Sequence, residues 1–326
     1  MIKWNPLSGK TGGGLFYFKW GSAMANIWDP EQVVSEKLAK ELVERQFPDL
    51  SPVTVTTLGE GYDNTVYLVN DCYVFRFPRR QIAVNLLNTE KGLLPKLAGT
   101  LPLQIAEPIY FGEPVEKVYP WPFMGYKLVR GNLPGVLTEE KRVESAVVLA
   151  KFLRALHDFP VDQAKALGVP PDMLGRLDIG KRKTALLERI DQMEALNLYG
   201  NVHNLRRYVE GTGPVALSEQ QCLVHGDMHI RNLIVDGHHM VTGVIDWGDV
   251  HIGDPAVDLS IIYSFLPKRG WNLFFEHYGR VDDSTKALAK WKAAFTTVSL
   301  LMYGHDIGDQ EIVEACSQSL DLILEK

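Results

Sequence analysis

Apolar and polar positions alternate in short runs through the first part of the chain and recur at helical spacing through most of the rest. Residues 53–58 and 64–69 alternate on either side of Gly59-Glu60-Gly61, which predicts a β-hairpin with glycines at its tip. Further strands are predicted over 72–80, 102–107 and 109–113, and an apolar one over 123–130 ends at Gly131. Ahead of the hairpin, Asp29-Pro30-Glu31-Gln32 has the form of a helix start, with Asp as cap and Pro in the first turn. That helix is expected to run to about Gln46, to bury Val33, Leu38 and Leu42, and to stop before Pro48. From Thr138 the period lengthens. Thr138 caps a helix whose Val143, Val147, Ala150, Leu153 and Leu156 share one face, and Pro160 ends it. More helices are expected over 181–198, 203–210, 274–278, 285–303 and 310–324. Short strands interrupt them at 223–224, 233–235 and 241–245, the last two joined by a turn at Asp236-Gly237. The order of elements is that of an α+β protein, β-rich first and mainly helical afterwards.

Composition narrows the function classes. At 326 residues the chain has room for one large or two medium domains, and 46% hydrophobic with 23% charged residues is ordinary for a globular protein. A net charge of −6 argues against a nucleic-acid partner, which needs a basic face. Cys72, Cys222 and Cys316 have no CxxC spacing and read as reduced thiols. No apolar run approaches the roughly 18 residues of a membrane span, and Ser8 to Gly14 interrupt any secretory core, so the expected location is the cytoplasm, without a membrane partner. Residues 1–28 read as an extension, with Met24 an alternative start. Its Ser8-Gly9-Lys10-Thr11 is not a phosphate loop, because Trp4 stands where that motif needs glycine.

The chemistry concentrates in residues 223–259, LVHGDMHIRNLIVDGHHMVTGVIDWGDVHIGDPAVDL. Strand ends deliver Asp227, Asn232 and Asp246 to one edge. Phosphoryl transfer needs a divalent cation to neutralise phosphate oxygens and a carboxylate beside the attacking hydroxyl. Mg²⁺ prefers oxygen ligands, so Asp246 and Asn232 are assigned to the metal. Asp227 is then left as the base that orients the acceptor hydroxyl and takes its proton. His229 is either a cationic aid to transfer or a loop hydrogen bonder. His225 reads as a prop, His157 as structural, and Asp254 and Asp258 as braces for the loop and the helix start at Pro255. The histidines 225, 229, 238, 239 and 251 lack the spacing of a zinc site.

His225-Gly226-Asp227 with Asn232, Ile245-Asp246-Trp247 and Gly253-Asp254-Pro255-Ala256-Val257-Asp258-Leu259 resemble the corresponding blocks of the aminoglycoside and macrolide phosphotransferases. The resemblance covers roughly residues 52–266 in motif order. It implies a protein-kinase-like two-lobed fold, with a small β-rich N-lobe over 29–130 that covers the nucleotide and a larger, mainly helical C-lobe over 131–326. It implies ATP or GTP as donor and Mg²⁺ as cofactor. Gly59, Gly61 and Asn64 fall where the family's nucleotide-covering loop approaches the phosphates. Arg76 stands where the kinase-like pattern places a phosphate-pairing lysine, Glu90 is its candidate partner, and Lys127 to Arg130, with Lys127 and Val129 as the candidates, fall where backbone meets the base edge.

The acceptor is then a hydroxyl-bearing small molecule, by the resemblance an antibiotic of macrolide or aminoglycoside type, and phosphorylation would confer resistance. The tail Pro78-Arg79-Arg80 favours a macrolide, and the acidic balance a cationic acceptor. A metabolic kinase acting on choline, homoserine or a sugar keeps the same machinery. A catalytically silent kinase-like module would lack metal ligands. Assembly as a monomer or a homodimer fits either enzyme.

Overall fold

The computed structural model describes residues 30–60 and 63–325, which form two compact units. One comprises residues up to 99 together with 105–129; the other comprises 100–104 and 130 onward.

The first unit is built on a five-stranded antiparallel sheet in the order Val55–Glu60, Asn64–Val69, Tyr73–Pro78, Phe123–Lys127, Pro108–Gly112. Alternation in the strand Asn64–Val69 sends Thr65, Tyr67 and Val69 inward. The core they enter is aromatic. Phe77 stacks on Phe123 at 4.7 Å between ring centres, and Phe75, Tyr110, Tyr119 and Phe47 complete the cluster. Its buried hydroxyls are satisfied by backbone: Tyr67 Oη donates to the Val34 carbonyl at 2.6 Å and Tyr119 Oη to that of Pro78 at 2.7 Å.

The first helix differs from the sequence expectation. It spans Glu36–Gln46, capped by Ser35, whose Oγ accepts the Leu38 N–H at 3.2 Å, and it buries Ala39, Leu42 and Val43. Residues 31 and 32 are held elsewhere, because both their N–H groups donate to the Arg79 carbonyl. Val33 is consequently 66% exposed, while Val34 is buried. Asp29, the expected cap, and Gly61 lie outside the described residues. The strand expected over 123–130 ends at Lys127, and Gln104–Ile105 stands outside this sheet.

The second unit is mainly helical around the helix Ala256–Phe265, which is buried on every face. Asp283–Asp306 and Gln310–Leu324 pack against it. Such all-round burial explains why its sequence, Ala-Val-Asp-Leu-Ser-Ile-Ile-Tyr-Ser-Phe, carries no polar stripe. The helix predicted from Thr138 is two: Glu139–Glu144, capped by Thr138, and Ala146–His157. Ser145 breaks them, and its buried Oγ accepts the Val241 N–H at 3.1 Å. Pro160 ends the second helix but starts an unexpected short one, Val161–Ala166, since its fixed φ suits a helix start. Helices Ile179–Ala195, Val202–Gly211 and Lys268–Tyr278 complete the unit. Two small ladders cross it: Leu233–Val235 pairs with Val241–Val244, and Cys222–Val224 with His251–Gly253. Among the described residues no helix is long and apolar enough to cross a membrane.

Gly125 tests the packing of the sheet. A Cβ there would stand 2.5 Å from the Phe75 ring. Because that ring is wedged among other aromatics, Gly125→Ala is expected to cost about 1–3 kcal/mol, read as a lower denaturant midpoint at unchanged slope.

Candidate functional site

The strand Cys222–Val224 is fully buried and delivers residues 225–227 to the end of the Ala256–Phe265 helix. There Asp258, itself fully buried, accepts the N–H of His225 at 2.7 Å and that of Gly226 at 2.9 Å, one on each oxygen. His157 Nε2 lies 3.2 Å from the same carboxylate, and its Nδ1 lies 2.7 Å from Tyr278 Oη. Burial alone would raise the Asp258 pKa. The bond and charge of His157, then His225 and the Gly226 N–H, outweigh it, and the carboxyl is held below its usual range. Gly226 adopts φ +89°, and a Cβ there would lie 2.1 Å from the Asp249 carbonyl oxygen, so only glycine fits.

His225 ties this loop to the next segment. Its Nε2 bonds the Ile245 carbonyl at 3.0 Å, its Nδ1 receives the Asp227 N–H at 3.3 Å, and its ring packs edge-on against Trp247. Asn232 makes the second tie, its carbonyl accepting the Ile245 N–H at 2.9 Å. Asp246 follows directly, in the left-handed region at φ +64°, with an exposed side chain.

Asp227, His229 and Asn232 form one cluster. Asn232 Nδ2 donates to the Asp227 carbonyl at 2.8 Å and reaches its Oδ2 at 3.4 Å; His229 Nε2 lies 3.1 Å from that Oδ2. The Asp227 side chain is 21% exposed and that of His229 12%. Burial raises the Asp227 pKa, but the His229 ring, then Lys292 and His225, pull it well below the usual carboxylate range. With its nitrogen committed to Asp227, Asn232 has its oxygen left for a cation, and Asp246 offers a second hard oxygen donor one residue beyond the Ile245 tie. Such a donor set suits Mg²⁺. Among the described residues no three His, Cys, Asp or Glu side chains gather as a metal cluster.

A second ring of charge was not foreseen from sequence. Asp249 pairs with Arg176, which also bonds Asp172 at 2.8 Å. Asp172 accepts the N–H of Leu174 and of Arg176, folding the loop that carries the arginine. Burial raises the Asp249 pKa, Asp227 and Asp246 add to the rise, and Arg176 opposes it. Lys292, on the helix Asp283–Asp306, is 8% exposed and donates to Thr296 Oγ1 at 2.9 Å. Burial, with Arg176 and Arg182, lowers its pKa; Asp227 and Asp249 pull the other way. The available signal was a lysine beside Trp291, Ala293 and Ala294, where the helix is buried.

In the first unit, Arg76 Nη1 lies 3.0 Å from both Glu90 oxygens, and Tyr126 Oη donates to Glu90 Oε2 at 2.7 Å. Gly59 sits at an irregularity in register opposite Val66. Asn64 faces Pro78, with a buried Oδ1 that has no hydrogen-bond partner among the described residues. Lys127 is exposed and Val129 buried. Cys72 is exposed, whereas Cys222 and Cys316 are buried.

Residues 54–293 match the sequence model described as the phosphotransferase enzyme family. The chain is similar to viomycin phosphotransferase of Streptomyces vinaceus, 29% identical over 99 residues, which is 29% of this chain and 34% of that protein. It spans about a third or less of the curated relatives it matches, 18% and 34% of their lengths. Among solved structures, the GDP complex of an aminoglycoside 2'-phosphotransferase, type IIIa, superposes with a TM-score of 0.62 at 29% identity, covering 89% of this chain and 97% of that one. Macrolide 2'-phosphotransferase type I shares the fold, with a TM-score of 0.52 at 20% identity over 88% and 97% of the two chains.

Asp258 supports the loop through its charge. Asp258→Asn is expected to lower stability by about 2–3 kcal/mol at pH 7, measured by denaturant unfolding, because charge-assisted bonds to buried N–H groups weaken. Since its pKa is depressed on folding, its contribution is full above the unfolded value of about 3.9 and is lost as pH falls through the folded one. The asparagine variant therefore loses less stability than the parent on acidification below pH ~4.

Proposed function

The chain belongs to the phosphotransferase enzyme family, and on that premise we propose that it transfers the γ-phosphoryl group of ATP or GTP to a hydroxyl of an antibiotic, of macrolide or aminoglycoside type, inactivating it. The observation that carries this reading is the Asp227 cluster. One carboxylate oxygen, Oδ2, is engaged by His229 and Asn232, which leaves Oδ1 as the acceptor we assign to the substrate hydroxyl. The relative solved with GDP and the match to an antibiotic phosphotransferase support donor and acceptor class.

Asp227 accepts the O–H of the acceptor, aligns its oxygen for attack on the γ-phosphorus, and takes the proton as the new P–O bond forms and the bond to the β,γ-bridging oxygen breaks, releasing the nucleoside diphosphate. His229 steadies the carboxylate and, when protonated, adds positive charge next to the transferring group. Asn232 Oδ1 and the Asp246 carboxylate would hold Mg²⁺, which neutralises phosphate oxygens when bound. In the first unit, Arg76, clamped by Glu90, would supply a guanidinium for phosphate, with Gly59 and Asn64 as the candidates for covering the nucleotide and the backbone around Lys127 to Arg130 for its base. The enzyme acts in the cytoplasm as a monomer or homodimer.

Asp227→Asn removes the base and keeps its size. Phosphorylation is expected to fall by about 10²- to 10⁴-fold while GDP or ADP still raises the melting temperature. The check is radiolabel transfer from ATP and GTP across a panel of macrolides and aminoglycosides, and undiminished transfer by this variant would remove Asp227 from the role.

A further inference from the structure

We propose that Tyr278 is a positioning residue for phosphoryl transfer. Its O–H donates to His157 Nδ1 and so keeps the ring proton on Nε2. From there the ring orients the Asp258 carboxylate, and with it the backbone that carries Asp227. The proposal rests on the reading of Asp227 as the base.

Three helices meet in this chain of contacts. Tyr278 ends Lys268–Tyr278, His157 ends Ala146–His157, and Asp258 lies in the first turn of Ala256–Phe265. All three side chains are buried. Each link is a hydrogen bond: 2.7 Å from Tyr278 Oη to His157 Nδ1, 3.2 Å from His157 Nε2 to Asp258 Oδ2, and 2.7 Å from the His225 nitrogen to the same Oδ2. Asp258 Oδ1 takes the Gly226 N–H at 2.9 Å. Among the described residues His157 is the one side chain that donates to this carboxylate, so it sets the rotation of a group whose two oxygens hold the residues just before Asp227.

The direction of each bond follows from the group at its far end. An ionised carboxylate only accepts, and Asp258 is held in that form, so His157 Nε2 carries a proton. Nδ1 is then either a bare lone pair or a second N–H. The phenol decides between them. Burial pushes its pKa well above the ordinary value, so the hydroxyl keeps its proton, and among the described residues Nδ1 is the acceptor it reaches. Were Nδ1 to donate instead, a buried O–H would lose its acceptor, a heavier loss than the net gain of a typical bond.

The hydroxyl is itself held in place. The Tyr278 ring stacks on Phe274 at 5.5 Å between centres, and the Arg154 guanidinium lies 5.2 Å from the ring centre. Without the hydroxyl, the imidazole proton is free to move to Nδ1, which turns the lone pair of Nε2 on the carboxylate. Asp258 then loses the donor that orients it, and Asp227 its alignment.

Histidine labelled with ¹⁵N reads the tautomer directly in the nucleotide-free protein, with His157→Gln identifying the resonances. A protonated Nε2 and a bare Nδ1 are expected in the parent, and protonation of Nδ1 in Tyr278→Phe. An imidazolium or an Nδ1–H ring in the parent, or an unchanged ring in the variant, overturns the proposal. Phosphorylation is then compared across Tyr278→Phe, His157→Gln and the two together. Tyr278→Phe is expected to lower kcat about tenfold, with the KM for nucleotide within about twofold, in protein that still melts well above the assay temperature. Glutamine has no tautomer and keeps an amide donor for Asp258, so in that background loss of the hydroxyl should change kcat by less than about twofold. Parental kcat in Tyr278→Phe overturns the positioning role. So does the same fractional loss in both backgrounds, which would mark a tyrosine that only supports the fold. The tautomer readout needs no turnover, and transfer by Asp227→Asn at the parental rate would remove the base assignment while leaving the arrangement of Tyr278, His157 and Asp258 to stand.

Discussion

The bidentate hold of Asp258 on the backbone of His225 and Gly226 is the constraint from which the rest of the second unit follows. Two N–H groups leaving a buried strand have no ladder partner, and in a dry interior each would be a serious penalty. A carboxylate at the start of a helix buried on every face satisfies both and fixes where the loop emerges. The side chain of Asp227 is then aimed by one residue's worth of backbone freedom. His157 and Tyr278, from two other helices, hold the carboxylate in turn, so the orientation of a loop residue is set by the helical core.

Asn232 and His225 extend that frame to Asp246 through the single residue Ile245, whose N–H and C=O are both taken. The positions named from sequence in this unit are therefore linked by short hydrogen-bonded paths. Around them lie basic groups drawn from remote segments: Arg176 from the 172–176 loop pairs with Asp249, and the buried Lys292 belongs to a helix more than sixty residues downstream of Asp227.

Much of this was legible in the sequence because it is local. The blocks from His225 to Leu259 place their chemistry at strand ends and a helix start, and turn residues, alternation and apolar runs mark those without tertiary information. The β-rich beginning and helical remainder, and most helices near their expected spans, followed from periodicity. What failed was decided at long range. Asp29-Pro30 reads as a helix start, yet residues 31 and 32 bond to Arg79, nearly fifty residues on, and Ser35 takes over the cap. The break at Ser145 depends on an N–H almost a hundred residues away. Arg176 and Lys292 belong to no motif; only a lysine on a buried helical face hinted at the latter.

The Ser145 break also governs how the hairpin can move. Val241 opens the second of its two strands, and the hydroxyl that receives its N–H comes from the hinge between two helices. A slip of that strand by one residue would strand a dry amide at one end and a dry hydroxyl at the other. Register in the ribbon whose open end is flanked by Asn232 and Asp246 is in this way held from outside its own ladder as well as within it, so that sliding would cost both sets of bonds.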